Sequence, residues 1–373
     1  MPVPTVSPRY EAGSLAAVLP SALAALGVPG WANALELPAA TSYVVLLVDG
    51  LGWNLLTEYA DRAPYLAGLA SRVEPVACGV PSTTATSLTS LGTGLPPGSH
   101  GVVGFTSRIP GTRRLLDALR WSPKAVDPVQ WQVHDTVYAR AAKQGVTASV
   151  VGKRAFEGSG LTGAGQRGAV YLGADSAGER IAATVAAAAQ PGSLTYVYDA
   201  DLDATGHRHG CRSAAWRYQL GVVDGLAEQL RAALPADCAL VVTADHGMVD
   251  VASERRLDLD QEPDLLRGVD LVGGEARLRH LYCESGAVEA VAARFRERLG
   301  ESALVLTRQE AVELEWFGVV EPQVAPRLGD VIVASVGDLA VMSARAFPKE
   351  AALVGLHGSL SPDEMLIPVL VDR

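Results

Sequence analysis

The sequence predicts an α/β fold, in which a mostly parallel central sheet is flanked by helices and carries a small α+β insertion. Unbroken apolar runs are typical of strands buried on both faces, and they occur at 43–48, 148–151, 194–198 and 239–243. Ala- and Leu-rich stretches with helical spacing alternate with these runs, at 14–27, 134–144, 179–189 and 213–233. Strands and helices that alternate in this way build an open, mainly parallel sheet.

The stretch 260–325 has a different character. It is predicted to contain strands at 276–284 and 303–307, separated by a helix at 287–299. We therefore predict a catalytic core formed by residues 1–259 and 326–373, with 260–325 as the small insertion. In this prediction the chain returns to the core with the apolar run at 330–334 and closes with a strand at 365–371.

Composition narrows the range of functions. The chain has 373 residues, of which 49% are hydrophobic and 19% charged, as in globular proteins. Its formal net charge of −10 disfavours nucleic-acid binding. The four cysteines form no CxxC pair, which predicts free buried thiols rather than a disulfide scaffold.

The sequence also bears on location. No apolar run reaches the roughly 18 residues needed to span a membrane. Pro2, Pro4 and the charged Arg9 and Glu11 precede the first apolar stretch, an order that does not fit a secretory signal peptide. These observations favour a cytoplasmic protein without a membrane partner.

Acidic residues and histidines follow three of the predicted strands. Asp49 ends the first run, an acidic cluster at 199–203 ends the third, and Asp245 with His246 ends the fourth. Ligands of open α/β sheets bind beyond the carboxyl ends of the strands, so these residues are expected to form one site. Carboxylate and imidazole together are the ligands that Zn²⁺ and similar metals take in proteins.

A segment rich in Ser and Thr, at 79–94, is predicted to open a helix. The N-terminus of a helix suits a phosphate because its first N–H groups are unpaired and the helix dipole is positive there. Ser and Thr are also common as ordinary N-caps, so the segment alone does not decide its function.

Five segments taken together resemble the alkaline phosphatase superfamily, most closely its nucleotide pyrophosphatase/phosphodiesterase branch. They are VDGLG at 48–52, PSTTATSLTSLGTGLPPGSHG at 81–101, DATGH at 203–207, ADHGM at 244–248 and LHG at 356–358. Each segment is weak evidence by itself, but their order along the chain also matches the family. The resemblance covers about residues 43 to 358.

The resemblance implies two divalent metal ions, usually Zn²⁺, although Mn²⁺ and Fe accept the same ligands. The positions that match the ligands of one metal are Asp49, Asp245 and His246; those of the other are Asp203, His207 and His357. Thr84 matches the position of the nucleophile, with Thr83 and Thr86 as competing choices. Coordination to a dication would activate a threonine hydroxyl, which is otherwise a poor nucleophile.

The expected function is therefore cleavage of phosphodiester or pyrophosphate bonds by in-line attack of Thr84, with a covalent phosphothreonine intermediate. The expected partner is a small phosphate ester such as a nucleotide or nucleotide-sugar. A phosphomonoesterase, a phosphonate hydrolase or a phosphomutase on the same scaffold is the alternative. A non-catalytic metal-binding relative is disfavoured because all six ligand positions and the hydroxyl are present.

One departure from the family concerns the phosphoryl group. Diesterases of the family carry an Asn a few residues after the SHG segment, and this chain has Phe105 there. Phe cannot donate the hydrogen bond, so Arg108, Arg113 or Arg114 becomes a candidate phosphate ligand. The same arginines would also fit a solvated loop, and the choice between diester and monoester stays open.

Overall fold

The structure is a computed structural model that describes residues 5–10 and 13–373. Pro2, Pro4 and Glu11, three of the residues whose order does not fit a signal peptide, lie outside the described residues. The strands are β1 (Ser42–Val48), β2 (Val76–Ala77), β3 (Thr106–Arg108), β4 (Leu115–Asp117), β5 (Thr147–Gly152), β6 (Val170–Gly173), β7 (Ser193–Asp199), β8 (Cys238–Thr243), β9 (Val249–Asp250), β10 (Arg256–Asp258), β11 (Val269–Glu275), β12 (Leu278–Cys283), β13 (Ala303–Thr307), β14 (Val331–Ser335), β15 (Ala340–Met342), β16 (Gly355–Leu356), β17 (Leu366–Ile367) and β18 (Val369–Asp372).

The helices alternate with these strands through much of the chain. They are α1 (Val18–Ala25), α2 (Trp53–Glu58), α3 (Pro64–Ala70), α4 (Thr84–Thr93), α5 (Pro97–His100), α6 (Pro128–Trp131), α7 (Val137–Lys143), α8 (Gly160–Gly165), α9 (Ala177–Ala188), α10 (Asp201–His209), α11 (Ala214–Ala233), α12 (Val288–Leu299), α13 (Arg308–Glu313) and α14 (Pro362–Met365). In the part of the chain that the structure describes, no helix combines the length and apolar character that crossing a bilayer requires.

The central sheet has six strands in the order β18-β8-β1-β7-β5-β6. All neighbours are parallel except β18, which pairs antiparallel with β8 at one edge. Every residue of β1 is buried, as its unbroken apolar run predicted. Helix α9 packs against β1, β5 and β7. The prediction of a mainly parallel sheet flanked by helices is therefore confirmed.

A second sheet has four antiparallel strands in the order β11-β12-β14-β13. The apolar run at 330–334, with which the chain was expected to return to the core, forms β14 inside this second sheet. Alternate residues of β14 face two cores: Ile332 and Ala334 join the main core, whereas Val331 and Val333 pack with Phe295 of α12. A strand covered on both faces looks the same in either sheet, so its apolar run could not reveal its partners. The boundaries at 260 and 325 stay a prediction.

The cysteines are free thiols, as predicted. Cys78, Cys211 and Cys238 are buried and Cys283 is partly buried.

Candidate functional site

The carboxyl ends of three neighbouring strands meet at one edge of the central sheet. Strand β1 lies between β7 and β8, with Val48 opposite Asp199 and Leu47 opposite Thr243. Asp49 follows β1 directly, helix α10 follows β7, and Asp245 follows β8 after one residue. The register of the sheet therefore brings the polar residues after all three strands together, as expected for an open α/β fold.

The first group comprises Asp49, Asp245 and His246, all of them buried. His246 Nε2 lies 3.4 Å from Asp49 Oδ1 and 3.5 Å from Asp245 Oδ2. Both of these carboxylate oxygens are buried without a hydrogen-bond partner. Buried oxygens without a partner are costly, and a cation held among the three atoms would satisfy them.

Neighbouring groups fix the orientation of the first group. Asp245 Oδ1 accepts hydrogen bonds from the backbone N–H groups of Gly50 and His246, each at 3.0 Å. The Tyr198 hydroxyl donates to Asp49 Oδ2, and His246 Nδ1 donates to its neighbour's carbonyl oxygen at 2.9 Å. In each of the three side chains one polar atom is thus held by these hydrogen bonds. The other polar atom (Asp49 Oδ1, Asp245 Oδ2 or His246 Nε2) lies next to its counterparts in the group.

The second group comprises Asp203, His207 and His357. Asp203 and His207 lie four residues apart on α10, and His357 follows β16. His207 Nε2 lies 3.4 Å from Asp203 Oδ2 and 3.2 Å from His357 Nε2. The Nδ1 atoms of His207 and His357 donate to the carbonyl oxygens of Gly355 and Ser82, at 2.7 and 2.9 Å.

These hydrogen bonds fix the tautomers of both histidines in the second group. A carbonyl oxygen only accepts, so each Nδ1 carries the proton and each neutral ring presents an unprotonated Nε2. Two such lone pairs 3.2 Å apart cannot bond to each other, and Asp203 Oδ1 beside them has no partner. This donor set fits a transition-metal cation such as Zn²⁺.

The acid–base properties of both groups agree with that fit. Burial raises the pKa of Asp49 well above its usual value, and the nearby carboxylates of Asp245 and Asp203 add to the rise. Burial also raises the pKa of Asp245, whereas it lowers the pKa of His357 well below its usual value. A cation would reverse the penalty for ionised carboxylates and favour the neutral imidazole. The rings of His246 and His357 stack with centroids 3.6 Å apart, so the two groups are adjacent.

Thr84 is the first residue of α4 and lies beside the first group. Its Oγ1 is 3.2 Å from His246 Nε2. Thr83 precedes α4 as its N-cap, and Thr86 is buried within the helix. Of the three threonines considered from the sequence, Thr84 is therefore the one whose hydroxyl contacts a predicted metal ligand.

A cavity of about 780 Å³ opens beside both groups. Asp49, Thr84, Asp203, His207 and His357 all line it, and most of its other lining residues are apolar or aromatic. Thr84 and members of both groups therefore face the same cavity.

The structure brings Phe105 to this cavity but not Arg108. The Arg108 guanidinium stacks over the Tyr282 ring, 4.6 Å from its centroid, because β3 packs against the second sheet. Arg113 forms a surface ion pair with Asp270 at 2.8 Å. Arg108 therefore lies outside the cavity, and a contact between Arg108 and phosphate stays a prediction. The cationic residues that line the cavity are Arg120 and Lys349.

Sequence reasoning missed two residues that adjoin the site. Tyr198 sits in the third apolar run, and its position one residue before the acidic cluster could have drawn attention to it. Glu275 ends β11, lines the cavity and leaves Oε1 without a partner. Burial raises the pKa of Glu275 to about 8. No local pattern marks Glu275, because only the packing of the second sheet brings it here.

Comparison with known proteins agrees with this architecture. Residues 43–360 match the family model described as type I phosphodiesterase / nucleotide pyrophosphatase. No curated protein matches the chain.

Among solved structures, similar chains include two of ectonucleotide pyrophosphatase / phosphodiesterase 5 from mouse. One is described as an inactive threonine-to-alanine variant in complex with AMP, and the other is described by the protein's name alone. The TM-scores are 0.69 and 0.67 at 18% identity, and each match covers 88% of this chain and 87% of the other. The human protein of the same name gives 0.67 at 17% identity with the same coverage.

At this level of identity the solved structures establish a shared fold, and the family model extends over most of the chain. The chain therefore belongs to the type I phosphodiesterase / nucleotide pyrophosphatase family and is a phosphoric ester hydrolase.

Proposed function

We propose that this protein is a two-metal phosphodiesterase that acts on nucleotide-type substrates, with Thr84 as its nucleophile. One observation carries the proposal. Two groups of three ligand atoms, each with an unpartnered carboxylate oxygen, adjoin a threonine hydroxyl at the N-terminus of α4.

Asp49, Asp245 and His246 would hold one divalent cation, and Asp203, His207 and His357 the other. Zn²⁺ suits both mixed sets of nitrogen and oxygen donors, and Mn²⁺ or Fe are compatible with them. Bound there, the cations would lower the pKa of the threonine hydroxyl and stabilise charge on the attacking and leaving oxygens.

The residues of this chain then divide the work. Thr84 Oγ1 gives up its proton and forms a bond to phosphorus while the bond from phosphorus to the leaving oxygen breaks in line, and the leaving oxygen takes up a proton. Water subsequently attacks the phosphothreonine, which restores Thr84 and releases the second product. Helix α4 begins at Thr84, so its first backbone N–H groups, which have no partner within the helix, lie at the same end as the nucleophile. These N–H groups would donate hydrogen bonds to the phosphoryl oxygens.

A nucleotide substrate is supported by the cavity and by a relative. The cavity of about 780 Å³ has largely apolar and aromatic walls, with Arg120 and Lys349 among its exposed lining residues. A mouse relative of the same fold is described in complex with AMP. A nucleotide or nucleotide-sugar would place its organic part against the apolar walls and further phosphates near the two cationic side chains.

Phe105 is the observation that favours a second candidate, a phosphomonoesterase. Phe105 lines the cavity, and it stands at the sequence position where diesterases that resemble this chain carry an Asn with an amide donor. Without an amide donor at this position, a preference for diesters would depend only on contacts between the cavity and the second organic group of the diester.

The test compares hydrolysis of bis-p-nitrophenyl phosphate, thymidine monophosphate p-nitrophenyl ester and p-nitrophenyl phosphate. Zinc-loaded and EDTA-stripped proteins are run in parallel. Zinc-dependent preference for the two diesters is the expected result. Preference for the monoester would support the second candidate, and turnover that survives complete metal removal would contradict both.

A further inference from the structure

Two buried ion pairs link the second sheet to later segments of the chain, and the proposed reaction uses neither. Arg277, in the turn between β11 and β12, pairs with Glu364 of α14 at 2.6 Å, and Arg279 of β12 pairs with Glu350. Arg277, Arg279 and Glu364 are 0% exposed. A buried ion pair seldom adds net stability, because the desolvation of both charges offsets their attraction. What each pair holds in place therefore matters more than its contribution to the free energy of unfolding.

The carboxylate of Glu364 is saturated with hydrogen bonds. Its Oε1 accepts from Arg277 Nε and from the backbone N–H of Ser359, each at 3.0 Å. Its Oε2 accepts from Arg277 Nη2 at 2.6 Å and from the Ser361 hydroxyl at 2.5 Å. A carboxylate has about four acceptor sites, so none is left for a ligand. The pair of Arg277 and Glu364 therefore holds the segment 359–361.

This segment begins two residues after His357, a predicted ligand of the second group. All three polar groups of Ser359 are engaged. Its N–H donates to Glu364, and its hydroxyl donates to the Ser335 carbonyl oxygen at 2.6 Å. Its carbonyl oxygen accepts from the Ser82 hydroxyl at 2.6 Å, and the Ser82 carbonyl oxygen accepts from His357 Nδ1 at 2.9 Å. The direction of the His357 ring thus depends on a segment that Glu364 fixes.

Helix α14 contacts the first group in a different way. The N–H of Gly247, the residue after His246, donates to the backbone carbonyl oxygen of Glu364 at 2.8 Å. A Cβ on Gly247 would lie 2.0 Å from the Asp363 carbonyl oxygen, so backbone packs directly on backbone here. A substitution of the Glu364 or Arg277 side chain leaves the donor and the acceptor of this contact in place.

We infer that Arg277 and Glu364 are positioning residues for the second group, and that their ion pair orients His357 without supporting the first group. Arg277 belongs to the second sheet, so this sheet takes part in binding one of the two metals. The inference rests on the proposed function, since it concerns a metal that was proposed there.

Metal titration tests the inference without turnover. Zinc is added to the metal-free protein in competition with a chromophoric chelator, which gives the two dissociation constants. Glu364→Gln replaces an acceptor oxygen by an NH₂ group, and Arg277→Lys removes the two-pronged contact. In both variants one dissociation constant should rise about tenfold, as for the loss of a group that supports a ligand, and the other should not change.

A double-mutant cycle shows which constant has changed. His357→Ala removes a ligand of the second group and leaves the first group's tight constant. If Glu364 acts only through His357, adding Glu364→Gln to His357→Ala should not alter that constant.

Arg279→Lys is the matched control, because it weakens an equally buried pair in the same hairpin. Arg279 donates to Glu350 and to the Val341 carbonyl oxygen, and neither partner belongs to a segment with a predicted ligand. Both dissociation constants should equal those of the wild type in this variant. A tenfold rise in Arg279→Lys would overturn the inference, because any weakened buried pair would then have the same effect.

A second variant separates positioning from stability. Arg277→Met combined with Glu364→Leu replaces the pair by apolar residues of similar volume, a change that often costs no stability. The metal-free double variant should therefore melt near the wild-type temperature, yet bind the second metal about tenfold more weakly.

The outcomes distinguish this inference from the proposed function. Two tight zinc ions in the wild type, with both constants unchanged or equally raised in Glu364→Gln, Arg277→Lys and the double variant, would overturn the inference alone. Fewer than two zinc ions in the wild type would overturn the proposed function and this inference with it. Two zinc ions with the selective rise, but no hydrolysis of any ester, would contradict the proposed function and support the inference.

Discussion

The two groups of predicted ligands are built in different ways. The first group, Asp49, Asp245 and His246, follows two adjacent parallel strands and is completely buried. The second group joins one turn of α10 to His357, about 150 residues further along the chain, and Asp203 and His207 are partly exposed. The first group has two carboxylates and one imidazole, and the second has the opposite ratio.

This difference has a physical consequence. The first group depends on the register of the central sheet and on hydrogen bonds at that sheet's edge. The second group depends in addition on the pairing of β16 with β9 and on the hydrogen bond from His357 to Ser82. We therefore expect the first group to keep its geometry in variants that disturb the second. The following predictions test that independence.

The largest effect is expected from Thr84→Ala. It removes the hydroxyl next to the first group without removing a ligand, so kcat should fall about 10⁴-fold or more while both metals stay bound. The measurement combines steady-state kinetics with elemental analysis of metal content. Thr86→Ala, in the same helix, is the control and should retain most activity. Full activity in Thr84→Ala would rule out this nucleophile.

His357→Ala should weaken the second group selectively. Loss of a direct ligand should reduce the affinity of the second group for its metal by more than about 100-fold. Removing a residue that only hydrogen-bonds to a metal ligand already lowers metal affinity by about 10- to 100-fold. Metal titration should then show one tight site instead of two. His209→Ala is the matched control, since this exposed residue lies on α10 outside both groups. Loss of both metals in His357→Ala would refute the independence of the groups.

Acid affects the molecule away from the two groups as well. Burial lowers the pKa of His280 to about 4, below the ordinary value of 6.5. Between these values the unfolded chain binds more protons than the folded one, so stability is full above pH 6.5 and falls as the pH drops toward 4. The loss attributable to His280 is about 3 kcal/mol, at 1.4 kcal/mol per pKa unit.

Urea unfolding in EDTA at pH 4 to 7 checks this expectation, with His280→Asn as the comparison. The variant should show a shallower decline in the free energy of unfolding over that range. An equally steep decline would assign the acid sensitivity to other residues. The experiment also separates acid unfolding from loss of metal by the second group's histidines.

The smallest effect is expected from Tyr198→Phe. Its hydroxyl donates to Asp49 Oδ2, so its removal should lower the affinity of the first group for metal by about tenfold. The second group should be unaffected, which titration of both sites would reveal. An equal loss at both sites would indicate a general disturbance of the sheet edge instead.

Much of the fold and the candidate site could be predicted from local patterns. The apolar run of β1 indicated a strand buried on both faces, and the runs at 148–151, 194–198 and 239–243 indicated other strands of the same sheet. The polar residues after β1, β7 and β8 were expected to converge because parallel strands end at one edge. Each of these inferences needs only a short stretch of chain and one general rule.

Only the tertiary structure decided which strands pair and which distant side chains contact each other. It assigned β14 to the second sheet, turned Arg108 onto Tyr282 and brought Glu275 to the cavity. It also left the Tyr196 hydroxyl and Gln166 Oε1 buried without a hydrogen-bond partner. The sequence determined which segments are buried and which residues can bind metal. Both properties depend on the residue types within a short stretch of chain. Which surfaces meet depends on packing between segments far apart in the chain, and no local pattern records it.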